Sequence, residues 1–158
     1  MKKKNLLLML LAVMALLLIP VSVQAAAKPG TVKLSSVKVV DYNKINVKWK
    51  KTSGATNYIV YYKKAGSSKW VKVKTLDNKK SSYTHTSSKK YPIVVGQKYT
   101  YTVKAYNKNT KKSGSYNKTG LTTRTIPQTV KLISAKANNG KVNVTWNKAG
   151  GADKYVLF

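Results

Sequence analysis

The sequence predicts an all-β protein built as an antiparallel β-sandwich, and three observations lead to this fold class. Apolar and polar residues alternate with a period of two along several short segments, as in strands with one buried face. These segments are rich in valine, threonine, tyrosine, isoleucine and tryptophan, which strands prefer. Turn residues separate the segments, and no stretch after residue 27 has the apolar spacing of an amphipathic helix.

The predicted strands follow one another at short and regular intervals, which is typical of a sandwich. In the second strand, Ile45, Val47 and Trp49 alternate with lysine and asparagine. In the third, Tyr58 and Tyr62 share one face, so Tyr61 between them is expected on the other. The seven predicted strands span residues 31–39, 44–50, 57–64, 69–75, 81–86, 97–107 and 115–125.

The first 27 residues have the layout of a secretory signal peptide. Three lysines at positions 2–4 precede 14 uninterrupted apolar residues, 6–19, and small residues follow Pro20. The alternative is an uncleaved membrane anchor, because the apolar stretch counted on to Val23 has 18 residues, the low end of the spanning range. This segment is the only part of the sequence from which we would expect membrane attachment.

The end of the chain repeats the beginning of its mature part. Residues 31–34 recur as 129–132, and one residue is missing from the second copy, where Asn138–Gly140 stands in place of the Asp41–Asn43 turn. We therefore predict a signal peptide at 1–27, a complete domain at 28–127 and a truncated second repeat at 128–158. The other matched residues are Val47, Trp49, Lys51, Gly54, Ala55 and Tyr58 with Val144, Trp146, Lys148, Gly151, Ala152 and Tyr155.

Residues 29–127 resemble a fibronectin type III domain of the kind repeated in secreted bacterial surface proteins. The motifs are Ile45-x-Val47-x-Trp49, Tyr58-x-Val60-x-Tyr62, and Gly96-Gln97-Lys98-Tyr99 running into Tyr101, Val103 and Ala105. The resemblance implies an immunoglobulin-like sandwich in which Tyr99 is the corner tyrosine, with its hydroxyl bonded to the preceding loop. It implies structural roles for Trp49, Tyr58, Tyr99, Tyr101 and Val103. A fold of this kind does not by itself imply a function.

The composition argues against an enzyme. The chain has three aspartates, one histidine, no glutamate and no cysteine, which leaves little acid–base chemistry and no thiolate metal ligand. The single histidine, His85, shares strand parity with Tyr83 and is interpreted as a half-buried structural residue. We therefore predict no catalytic residue, no cofactor and no metal.

Charge is the strongest functional signal. The formal net charge is +28, and 30 of the 31 basic residues are lysines. Such a surface attracts polyanions, and lysine favours diffuse attraction over the bidentate recognition that arginine provides. The expected partners are anionic wall polymers, polysaccharides or nucleic acid; the sequence does not identify a protein partner. The alternative is that the lysines only keep a strand-rich protein soluble and protect its sheet edges.

One face of the predicted sandwich combines aromatic and basic residues. The resemblance implies that these strands belong to one sheet, and if the alternation also holds, six outward residues form a face suited to sugar rings or stacked bases with phosphates. The alternative is that Trp70 lies flat over the sheet beneath lysine stems. The six residues are Tyr61, Trp70, Lys72, Lys74, Lys104 and Tyr106.

These observations predict a secreted, non-catalytic module that acts as a spacer, adhesive or interaction domain at the cell surface, associated with the wall through charge. A second hypothesis is an accessory domain of a larger secreted polysaccharide-degrading hydrolase. A third is a cationic secreted protein that binds nucleic acid or membranes directly.

Overall fold

The computed structural model describes residues 28–158, and the predicted signal peptide at 1–27 lies outside the described residues. All regular elements in the described part are strands, and within it no helix has the length and hydropathy needed to span a bilayer. The strands are β1 (Leu34–Asp41), β2 (Lys44–Trp49), β3 (Asn57–Lys64), β4 (Val71–Asp77), β5 (Ser82–Thr86), β6 (Lys98–Asn107), β7 (Lys112–Ser113), β8 (Leu121–Arg124), β9 (Lys131–Asn138) and β10 (Lys141–Asn147).

The first eight strands form two antiparallel sheets. One sheet has the order β1-β2-β5, and the other has the order β4-β3-β6, with β7 and β8 both paired to β6. The alternating residues of both sheets meet in one buried core, which includes Ile45 and Val47 from one sheet and Val60 and Val103 from the other. The antiparallel β-sandwich predicted from the alternation is confirmed.

Tyrosine supplies much of the core volume. Tyr58, Tyr99 and Tyr101 are among the largest fully buried side chains. Burying a large apolar side chain contributes about 1.5–3 kcal/mol to folding, and each buried hydroxyl then requires a hydrogen-bond partner. The Tyr58 hydroxyl accepts a hydrogen bond from the backbone N–H of Thr52 at 2.7 Å, so this ring is buried without leaving its polar atom unpaired.

The last strand of the sandwich is shorter than the sequence predicts. Residues 115–120 form a loop instead, and only Leu121–Arg124 pairs with β6. The side chain of Asn117 ends the extended conformation because its Oδ1 accepts hydrogen bonds from the backbone N–H groups of Thr119 and Gly120. The predicted strand at 115–125 is therefore wrong for its first half.

Residues 128–158 contain a hairpin, β9–β10, that reproduces the geometry of β1–β2. Leu132 lies opposite Trp146 as Leu34 lies opposite Trp49, and a register shift follows each pair. Trp146 and Tyr155 have ring centroids 5.5 Å apart, the same separation as their counterparts Trp49 and Tyr58. The Trp–Tyr contact and the register beside the tryptophan are thus the same in both copies.

The residue missing from the second copy lies in a strand and not in the turn. Both hairpins have two-residue turns, because Asp41 pairs with Lys44 and Asn138 pairs with Lys141. The first hairpin has a second register shift between Val39 and Asp41, which β9 lacks. A bulge in β1, rather than a longer turn, therefore accounts for the extra residue.

Gln128 connects the two parts of the described chain. Its side-chain Nε2 donates to Asp41 Oδ1 at 2.9 Å, and its Oε1 accepts from the backbone N–H of Gly150 at 2.9 Å. Gly150 packs against the ring of Tyr42, where any side chain would overlap that ring. The hairpin therefore contacts the sandwich at the β1–β2 turn.

Candidate ligand-binding face

Three of the six residues predicted as a ligand face come together on the outer face of the larger sheet. Tyr61 lies on β3, Lys104 on β6, and Trp70 immediately before β4. Together with Tyr116, these side chains line a hollow of about 180 Å³. We call this group the aromatic hollow. Tyr116 comes from the loop before β8 and was not identified from the sequence, because that loop was predicted to be strand.

Trp70 is the central ring of the aromatic hollow, and it is half-buried. The ammonium of Lys63 lies 4.8 Å from the ring centroid of Trp70, a cation–π contact. The ring of Tyr116 meets Trp70 edge-on, with centroids 6.4 Å apart and planes at 83°. This arrangement agrees with the alternative in which Trp70 is covered by a lysine.

The loop that carries Tyr116 is fastened to β6 at both ends. The backbone N–H of Gly114 donates to the carbonyl of Ala105 at 2.8 Å. The hydroxyl of Thr102 donates to the carbonyl of Asn117 at 2.8 Å. Tyr116 lies between these two anchors, which hold its backbone beside β6, and its ring contacts Trp70.

Gly120 allows this loop to lie close to the sheet. Its φ is +66°, a conformation that L side chains rarely adopt, and a Cβ here would overlap the carbonyl oxygen of Tyr101. The same Cβ would lie 3.3 Å from the Trp70 ring. The glycine therefore allows both the loop and the indole ring to pack against β6.

The other three predicted residues do not line the hollow. Lys72 lies opposite Tyr61 but is exposed, and a register shift in β4 places Lys74 opposite the core residue Val60. The alternation predicted for this stretch still holds in burial, since Val73 is buried and Lys72 and Lys74 are exposed. Tyr106 pairs with Asn57, four residues along β3 from Tyr61, so it lies about 13 Å further along the sheet. Three of the six predicted residues therefore line the hollow, and the other three lie outside it.

Burial raises the pKa of the Tyr61 hydroxyl, and the nearby Tyr116 adds to the effect. The Tyr61 phenol therefore remains a neutral donor and acceptor at physiological pH. The ammonium of Lys104, the cation of the aromatic hollow, has no ion pair or hydrogen bond with any residue in 28–158. The hollow thus combines aromatic walls, two phenol hydroxyl groups and one ammonium without a carboxylate partner.

The tyrosines assigned structural roles make the contacts that such roles require. The Tyr99 hydroxyl accepts a hydrogen bond from the backbone N–H of Val94 at 3.0 Å, which is the loop contact implied for the corner tyrosine. Trp49 packs on Tyr58 with centroids 5.5 Å apart. Tyr101 and Val103 are fully buried in β6.

His85 is more deeply buried than expected, with 1% of its surface exposed. Its Nε2 bonds the carbonyl of Tyr91 at 3.1 Å, and because a carbonyl can only accept, Nε2 carries the proton of the neutral ring. Nδ1 then accepts from the Tyr101 hydroxyl at 2.8 Å. Burial lowers the pKa of His85, and the bond to Tyr91 opposes this only in part. Tyrosine rings surround the imidazole: Tyr62, Tyr83, Tyr91 and Tyr101.

Residues 28–158 contain no cluster of side chains suited to binding a metal ion. Within that range no group of three histidine, cysteine, aspartate or glutamate side chains is close enough to hold a metal ion. A further concavity, about 720 Å³, lies at the hairpin, where Leu132, Trp146 and Tyr155 are among its lining residues. Its apolar lining corresponds to the core side of β1–β2 in the first copy.

No protein-family model and no curated protein sequence matches the chain. Among solved structures, the chain is similar to the FN5 domain of Drosophila Lar, with 17% identity over 62% of this chain and 97% of that one, and a TM-score of 0.47. It is also similar to the fn3 domain of the human collagen alpha-1(XX) chain, with 16% identity over 68% and 91% of the two chains and a TM-score of 0.47. FN3tt shares 15% identity over 63% and 98%, with a TM-score of 0.46.

These similarities concern the fold and say nothing about a ligand. Three features of the described chain itself place it beside fibronectin type III domains: the strand order β1-β2-β5 against β4-β3-β6-β8, the Trp49–Tyr58 pair, and the Tyr99 hydroxyl bond to the loop. The sandwich is of the fibronectin type III kind, as its sequence motifs indicate.

Proposed function

We propose that this protein is a secreted, non-catalytic fibronectin type III module that serves as a spacer or interaction domain at a cell surface. In this proposal, diffuse lysine charge holds the module to anionic polymers of the wall. The sandwich supplies a stable scaffold, and the charged side chains on its outside supply the attraction.

The observation that carries this proposal is the excess of lysine on both sheets. Lys38 and Lys48 lie exposed on the smaller sheet, and Lys72 and Lys74 lie exposed on the larger one. Three aspartates can neutralise at most three of the basic residues, so the charge remains largely uncompensated. Asp41, which pairs with Lys44 at 3.4 Å, is also bonded to Gln128.

The physics of this surface favours diffuse attraction over a single charged site. Screening at physiological salt acts over about 8 Å, and a domain of 100 residues has a radius of gyration of about 13 Å. Each lysine therefore feels several neighbours, and the potential spreads over the surface. Lysine ammonium groups attract phosphate as point charges without the fixed geometry of arginine.

The test is a binding titration of residues 28–158 with poly(glycerol phosphate) at low and at physiological salt. We expect affinity to fall steeply with salt, because the attraction is between charges. We expect Trp70→Ala and Lys79→Ala each to lower the affinity for poly(glycerol phosphate) by no more than about tenfold, because no single residue dominates the attraction. A salt-resistant loss on Trp70→Ala alone, or no binding at low salt, would overturn the proposal.

Single-stranded DNA belongs in the same titration as a second polyanion. Base stacking needs an open aromatic face, and the Trp70 ring already carries the Lys63 ammonium at 4.8 Å. We therefore expect DNA to bind with the same salt dependence as the wall-type polymer and with no additional salt-resistant affinity.

A further inference from the structure

The aromatic hollow has features that diffuse charge does not need. Aromatic rings from three separate segments, β3, the approach to β4 and the loop before β8, enclose about 180 Å³ around Lys104. Sites for drug-sized ligands measure about 300–1,000 Å³, so this hollow suits a single small ring.

The walls of the hollow are held in place before any ligand arrives. The backbone of Tyr116 is held by the anchors of its loop, Gly114 N–H to Ala105 and Thr102 to Asn117, and its ring contacts Trp70 edge-on. Trp70 is held by the Lys63 ammonium and by its approach to Gly120. A preformed site loses less conformational entropy on binding than a flexible one.

The polar groups of the hollow can serve an anionic ligand. Within residues 28–158 the structure gives no hydrogen bond to the hydroxyl of Tyr61 or of Tyr116, and none to the ammonium of Lys104. No aspartate lines the hollow, so its positive charge has no carboxylate beside it. Two hydroxyl groups and one cation can contact a ring that carries both hydroxyls and a negative charge.

The orientation of the rings distinguishes a sugar from a nucleobase. A base stacks on an open, flat ring, but Lys63 occupies one side of Trp70, and Tyr116 meets that ring at 83°. Perpendicular aromatic walls instead surround a puckered ring, whose C–H groups contact the ring faces while its hydroxyls reach the phenols.

We propose that the aromatic hollow binds one anionic sugar ring, a uronic acid unit of a polysaccharide. The proposal rests on the proposed function, because diffuse charge would bring the polymer to the surface and the hollow would then recognise its ring. The carboxylate would pair with Lys104, and the ring would lie against Tyr61 and Tyr116.

The experiment compares oligogalacturonate with polyglutamate of matched charge, both titrated against residues 28–158. The variants are Tyr116→Ala and Lys104→Gln, with Lys79→Gln as the matched control for loss of one charge outside the hollow. We expect Tyr116→Ala to weaken oligogalacturonate binding by about fivefold or more, as loss of an aromatic contact does. Polyglutamate binding should change by less than about twofold in every variant.

The outcomes separate this proposal from the one on which it rests. If neither polymer binds the parent protein at low salt, the proposed function fails. A second outcome is that both polymers bind, but Tyr116→Ala and Lys104→Gln lower oligogalacturonate binding no more than Lys79→Gln does. In that case the proposed sugar-binding site is wrong, and the proposed binding through diffuse charge is retained. Single-stranded DNA binding that depends on Tyr116 would also overturn it, in favour of a nucleobase. Unchanged thermal unfolding of Lys104→Gln establishes that any loss is not a folding defect.

Discussion

His85 is the buried side chain whose protonation couples the stability of the sandwich to pH. Burial lowers its pKa below the ordinary value of about 6.5, so the unfolded chain binds the proton more readily than the folded one. The contribution of neutral His85 to the free energy of unfolding is therefore fully present above a pH of about 6.5. It decreases as the pH falls from about 6.5 toward the lower pKa of the folded protein. We expect the thermal unfolding midpoint to drop between pH 7.5 and pH 5.

The composition leaves few other side chains that could cause this pH dependence. The chain has no glutamate, and the reference pKa of an aspartate side chain is about 3.9, so His85 is the side chain whose reference pKa lies between pH 5 and 7.5. A His85→Gln variant removes the titrating group, and its unfolding midpoint should change much less over this range even if the variant is less stable throughout. A steep pH dependence that persists in the variant would show that another group is responsible.

At the level of elements, the loop before β8 depends on Gly120. We expect Gly120→Ala to destabilise the sandwich by about 2 kcal/mol or more, because the new Cβ strains a positive φ and also meets the Tyr101 carbonyl. A loss of that size lowers the unfolding midpoint by roughly 8 °C in a domain of about 100 residues.

Gly66 provides the matched control for Gly120. Its φ is +85°, but nothing lies within 4 Å of the position where a Cβ would stand. Gly66→Ala therefore introduces the backbone strain of a positive φ but no overlap between the new Cβ and neighbouring atoms. It should lower the free energy of unfolding clearly less than Gly120→Ala does. Equal losses in calorimetry would mean that the packing of the loop against β6 contributes nothing.

The sequence predicted the elements whose residues alternate and did not predict those fixed by side-chain hydrogen bonds. The tyrosine and valine alternation located β3 and β6 because burial selects apolar residues at every second position. The loop at 115–120 was missed because the Asn117 turn depends on two backbone N–H groups that a hydropathy pattern does not record.

The same distinction applies to the candidate site. Strand parity, together with the sheet membership implied by the fibronectin type III resemblance, predicts Tyr61, Trp70 and Lys104 on one face, and the structure brings them together. Lys72 and Lys74 are exposed as the parity predicts, but they lie outside the hollow. The register shift in β4 that places Lys74 opposite Val60 leaves no trace in composition. Tyr116 could have been noted only as an aromatic residue beside a turn-forming asparagine.

At the level of the whole molecule, the sandwich is complete without the hairpin. Its core residues are drawn almost entirely from residues before 127, whereas β9 and β10 form an isolated two-stranded sheet. Such hairpins are marginally stable in water. We expect limited proteolysis with thermolysin to leave a resistant fragment ending near Ile126 and Pro127. A resistant fragment that extends to Phe158 would show that the Gln128 contacts hold the hairpin firmly.

The measurement that tests diffuse attraction most directly compares two pairs of lysine substitutions on opposite sheets. One variant carries Lys38→Gln and Lys48→Gln, the other Lys72→Gln and Lys74→Gln, and each removes two exposed charges. Affinity for poly(glycerol phosphate) at low salt should fall equally in both, within about twofold, because a diffuse potential does not depend on position. Loss of about tenfold in one variant with no change in the other would contradict this account and would assign binding to one face of the sandwich.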